Sequence, residues 1–97
     1  MKIRLTPRAL WETERKQTWW RANRPAARDL FDDEIDAALR QIRAMPSVGA
    51  LYPSSFGTVV RRLLLPRTRN HVYYAAYEGE IVVLSVWGAP RGSGPKV

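Results

Sequence analysis

Ninety-seven residues with 45% hydrophobic content and four tryptophans form a single globular domain rather than a disordered chain. The absence of cysteine excludes a disulfide framework and a thiolate metal site, and one histidine is too few for a zinc centre. A net charge of +7 favours a polyanion or an acidic protein as partner.

The first element is a strand, because "KIRLT" alternates apolar Ile3 and Leu5 with Lys2 and Arg4. Thr6 then offers a helix cap and Pro7 suits the first helical position, so a helix is predicted through "RALWETERKQTWWRA", ending near Asn23. Within it Glu12 and Lys16 stand in the favoured i,i+4 order. Pro25 restarts a second helix, in which Leu30, Phe31, Ile35, Ala38, Leu39, Ile42 and Met45 form one apolar stripe, and Pro46 ends it. The joint is short, which predicts a helical hairpin. "PSVGALYPSSFG" reads as a loop, "TVVRRLLL" as a strand and "PRTRN" as another loop. "HVYYAAY" and "IVVLSVW" are strands joined by a tight turn in which Gly79 is free to take positive φ. The near-continuous apolar run of the last strand predicts a position inside the sheet. Residues 88–97 form a Gly/Pro-rich, irregular tail. The expected architecture is α+β, in the order β-α-α-β-β-β, with the helical hairpin on one face of a mainly antiparallel sheet.

No apolar run reaches the ~20 residues of a membrane span, and "MKIRLTPRAL" lacks the apolar core of a signal peptide. A cytoplasmic protein is expected. Charge is unevenly placed. Residues 59–97 carry Arg61, Arg62, Arg67, Arg69, Arg91 and Lys96 against only Glu78 and Glu80. In a strand, neighbouring side chains face opposite ways, so Arg61 and Arg62 serve different faces. One of them is open to pairing with Asp32, Asp33, Glu34 or Asp36 of the second helix. Of Tyr73, Tyr74 and Tyr77, packing alone explains two. Trp19 and Trp20 read as helix-packing residues, and Trp87 as a core or partner-facing one.

Over essentially its whole length the chain resembles the RelE/ParE superfamily of toxins from bacterial type II toxin–antitoxin systems. The resemblance lies in "RLTPRA", in "WWRANRPAARDLFDDEIDAAL" across the helix joint, and in "VRRLLLPRTRNHVYYAAYEGEIVVLSVWGAPRGSGP". It implies a single toxin domain over residues 1–97, inhibiting growth and neutralised by a cognate antitoxin, with a place in plasmid stabilisation. It implies no cofactor, metal or membrane partner. RelE-like members cut mRNA on the ribosome, and ParE-like members inhibit DNA gyrase.

Metal-free RNA cleavage needs a base for the 2′-OH, stabilised phosphorane charge and an acid for the leaving oxygen. The candidate catalytic residues are His71, Arg69, Arg91 and Tyr74; those for holding a target or nucleic acid are Arg61, Arg62, Arg67, Arg69 and Arg91. Arginine stays protonated and binds phosphate but is a poor base, which leaves His71 as the natural acid/base. His71 also has a plain reading, as a structural histidine at a strand start. Members of the family often end the last strand with Trp-His-Ala-Arg-Arg, whereas this chain has Trp87, Gly88, Ala89, Pro90 and Arg91. The glycine removes a histidine readily given an acid/base role. The balance falls slightly toward gyrase inhibition, with a ribosome-dependent mRNA endonuclease and a non-toxic basic binding module as alternatives.

Overall fold

The computed structural model describes residues 1–55, 57–89 and 94–97. Five strands, β1 (Lys2–Leu5), β2 (Ala50–Tyr52), β3 (Val60–Leu65), β4 (Asn70–Tyr77) and β5 (Glu80–Gly88), form one sheet in the order β1-β5-β4-β3-β2. Helices α1 (Pro7–Asn23) and α2 (Leu30–Ala44) pack on one side of it. The α+β expectation holds. β1 runs parallel to β5, with Lys2 opposite Glu80 and Leu5 opposite Val83, while the other pairings are antiparallel.

Local chemistry sets the boundaries. The Thr6 hydroxyl accepts from the Ala9 N–H at 3.1 Å, so α1 starts where the Thr-Pro pair placed it. The second helix does not start at Pro25. Pro25–Ala27 is a 3-10 turn, and α2 begins at Leu30. The apolar stripe of α2 buries Phe31, Ile35, Ala38 and Ile42, whereas Met45 at its end is exposed. Full burial of a side chain such as Phe31 or Ile42 is worth about 1.5–3 kcal/mol. They meet Leu65, Val72, Tyr74, Ile81, Val83 and Val86 of the sheet. Gly79 takes φ 76° in the β4–β5 turn, as expected.

One further expectation is corrected. "ALY", inside what reads as a loop, is β2, because its backbone pairs with β3 from Ala50–Arg62 to Tyr52–Val60. Glu12 also reaches the sheet. Its Oε1 accepts from the Ser85 hydroxyl at 2.8 Å and the Val86 N–H at 3.0 Å, and its Oε2 lies 3.5 Å from the Arg8 guanidinium. β1 covers the edge of β5 only as far as Val83. Beyond that point Glu12 of α1 satisfies the exposed strand edge in its place. No helix among the described residues is long and apolar enough to cross a membrane.

Candidate functional site: a cationic, aromatic open face

Arg61 and Arg62 leave β3 in opposite directions. Arg61 pairs with Tyr74 on the helix side, and its Nη1 donates to the Gly49 carbonyl at 2.9 Å. Arg62 pairs with Tyr73 on the side away from the helices, its Cζ 5.5 Å from the centroid of the Tyr52 ring. Among the described residues neither meets a carboxylate of α2. Asp32 is taken by Arg21 at 3.3 Å. Glu34 instead holds the β3–β4 loop, accepting from the Arg67 N–H at 2.7 Å and from the Thr68 N–H and hydroxyl at 3.0 and 2.6 Å. The expected ion pair is replaced by a carbonyl on one face and an aromatic ring on the other.

The open face carries a connected row. Tyr52 packs edge-on to Tyr73 at 4.7 Å between centroids, and Tyr73 to His71 at 5.9 Å. His71 pairs with Leu64 on one side and Trp87 on the other, and the Arg8 guanidinium lies 5.7 Å from the Trp87 ring centroid. Tyr73 is buried within this row, and Arg62, His71, Tyr52 and Trp87 are half-buried. Burial, and secondarily the Arg62 charge, lower the His71 pKa below 6.5. The imidazole is therefore neutral at pH 7 and presents one donor and one acceptor nitrogen.

Tyr74 does not join this row. It is fully buried on the helix side, its hydroxyl donating to the Pro46 carbonyl at 2.7 Å and accepting from the Gly49 N–H at 2.9 Å. Burial raises its pKa, a tendency partly offset by the Gly49 hydrogen bond and the Arg61 charge. Residue 49 must be glycine here, since a Cβ would come within 2.8 Å of that hydroxyl and 2.9 Å of the Arg62 carbonyl. Tyr74 and His71 thus lie on opposite faces of one strand, and no single phosphate reaches both. Arg67 and Arg69 are exposed at the β3–β4 loop. Arg69 is the one non-glycine at positive φ (62°) among the described residues, its N–H bonded to the Leu65 carbonyl and its carbonyl to the Ala89 N–H. Arg91 lies outside the described residues.

Sequence reasoning missed Tyr52, hidden in an apparent loop, and Arg8, whose reach to Trp87 depends on where α1 crosses β5. It also missed a groove of about 630 Å³ between α1 and the end of β5, lined by Trp11, Trp19, Trp20 and Trp87 together with Arg15 and Lys16. Those are all the tryptophans of the chain. Trp20 packs on the core as expected, whereas Trp11 and Trp19 are about half exposed (58% and 49%).

No protein-family model matches the chain, and no curated protein is significantly similar to it. A solved structure, described as "Chromosomal ParDE TA system from P. aeruginosa", contains a chain that superimposes with a TM-score of 0.62 at 19% identity, over 91% of this chain and 95% of that one. The fold is RelE/ParE-like. At this identity the likeness concerns the fold, and function must be argued from the site.

Proposed function

We propose that this chain is the toxin of a type II toxin–antitoxin pair and that it inhibits growth by holding its target rather than by cutting it, with DNA gyrase as the favoured target. The observation that carries this reading is the separation of His71 from Tyr74. Hydrolysis of RNA needs both an acid and a base at one phosphate. The open face supplies one group titrating near neutrality, His71, beside Arg62, while Tyr74 is buried behind the sheet with its hydroxyl fully used. Gly88 stands where the resembled family often has a histidine. Arg62, Arg67 and Arg69 with the half-buried aromatics are suited to gripping an acidic surface.

The second reading, a metal-independent mRNA endonuclease, is favoured by one feature: a neutral His71 next to a phosphate-binding Arg62 is a competent general base. Expression in a permissive host separates the two. Filamentation with DNA-damage signalling and intact mRNA supports gyrase inhibition, whereas rapid mRNA cleavage at codon boundaries supports the nuclease. His71→Gln preserves toxicity under the first reading and abolishes it under the second.

The antitoxin docks in the tryptophan groove. Arg15 already covers Trp11, 4.8 Å from its ring centroid, and Trp19 and Trp20 stand edge to face at 76°, so the groove offers ridges and holes rather than parallel slots for bases. Aliphatic side chains of an acidic amphipathic helix fit such a surface, with their carboxylates toward Arg15 and Lys16. Association slows as salt rises if this holds; a rate indifferent to ionic strength removes the electrostatic part.

A further inference from the structure

The open face is covered at one end by the chain itself. Residues 94–97 cross it without regular secondary structure, and three donors from different places in the fold read consecutive carbonyls of this segment. The Tyr52 hydroxyl of β2 donates to Pro95 at 2.9 Å. Arg8 Nη1, in the first turn of α1, donates to Lys96 at 2.9 Å. The Ser55 N–H donates to Val97 at 2.8 Å. The side chains alternate accordingly, Pro95 and Val97 buried and Gly94 and Lys96 exposed. Val97 itself lines, with Val60, Leu84 and Thr58, a groove of about 370 Å³ that continues beside the segment. At position 94 any Cβ would collide with the Tyr52 hydroxyl, so only glycine passes over the ring.

We infer that this is a peptide-binding groove whose resident ligand is the chain's own segment 94–97, held in cis, and that it fits any extended peptide of the pattern glycine, apolar, any residue, apolar. All three hydrogen bonds go to backbone carbonyls, which every residue has, so the donors fix register and direction while the two apolar seats and the glycine passage select sequence. The Lys96 side chain is exposed and leaves its position unspecified. Tyr52 also supports the ring of Tyr73 and the guanidinium of Arg62. The groove's occupant therefore sits on the same tyrosine as the cationic row, and a partner strand laid along this face has to displace it. That last consequence rests on the target-holding reading; the groove itself does not.

The Ser55 amide reports the occupant directly. In the full-length protein, hydrogen exchange at Ser55 is expected to be at least tenfold slower than in Gly94→Val, with the Val72 and Val83 amides equally protected in both. Acetyl-Gly-Pro-Lys-Val at millimolar concentration, on the order of the local concentration a short tether provides, restores Ser55 protection in the variant and leaves the parent unchanged. Equal Ser55 exchange in the two proteins overturns the inference, as does a peptide that fails to slow exchange in the variant. Should Gly94→Val also loosen Val72 and Val83, Tyr52→Phe takes its place, since it deletes one donor without adding bulk. Severalfold faster exchange at Ser55 is then expected, and an unchanged rate overturns the inference. None of these readouts involves toxicity, so gyrase inhibition can fail while the groove stands.

Discussion

Arg61 and Arg62 are adjacent in sequence and inhabit different chemistry. Behind the sheet, Arg61 belongs to a small closed set of hydrogen bonds: its guanidinium meets the Gly49 carbonyl, and the Gly49 N–H and Pro46 carbonyl share the Tyr74 hydroxyl. On the open side, Arg62 rests on the Tyr52 ring, and among the described residues it meets no carboxylate. Both guanidinium groups are half-buried, but one hydrogen-bonded to a carbonyl serves stability, and one resting on an aromatic ring serves recognition. The two faces of β3 and β4 thus divide the labour of the domain.

The sharpest way to break that contrast is Tyr74→Phe. It strands a buried Gly49 N–H and a Pro46 carbonyl and should cost about 1–3 kcal/mol, read as a lower midpoint in urea denaturation. Target binding per folded molecule should not change. Next in size is the arginine pair. Arg61→Ala should lose about 1 kcal/mol with its hydrogen bond, whereas Arg62→Ala should stay within about 0.5 kcal/mol of the parent and yet weaken binding to target. If both variants behave alike in stability and in binding, the division between faces is wrong. Arg69→Gly should stabilise the fold by about 0.5–1 kcal/mol, since glycine takes φ 62° without the penalty an L side chain meets there. The same change should weaken the grip on an anionic target, measured by salt-dependent affinity.

The smallest effect is the titration of His71. Its folded pKa lies below 6.5, so the unfolded chain binds the proton first. The stability it lends is complete above pH 6.5 and is lost as pH falls through the lower folded midpoint. Arg62→Gln should raise that midpoint, followed by NMR, but only part of the way to 6.5, because burial is the larger cause. A full return would make Arg62 the dominant influence.

What was legible in the sequence was local. Thr6 and Pro7 set the start of α1, the stripe from Phe31 to Ile42 marked the buried side of α2, and alternation sent Arg61 and Arg62 apart. What escaped depended on partners far along the chain. β2 is a strand only because β3 lies beside it, and nothing in "GALYP" announces that. "HVYYAAY" has apolar or aromatic residues on both faces, so periodicity could not say that Tyr74 faces the helices while His71 and Tyr73 face away. From the sequence, Glu12 reads as an i,i+4 partner of Lys16 and Glu34 as one of the acids open to Arg61 or Arg62. In the fold they close a strand edge and a loop, roles set by backbone donors that no composition reveals.

The parallel pairing of β1 with β5 has a consequence in time. Lys2 can pair only once Glu80 has been made, and Leu5 only once Val83 has. Hairpins β3–β4 and β4–β5 close over short loops, while β1 must close a loop spanning most of the chain, the slow, entropy-limited kind of contact. During synthesis the edge of β5 stays open until that closure. The completed sheet, and with it the cationic face, exists only once β5 has been made, because β5 joins β1 to β4.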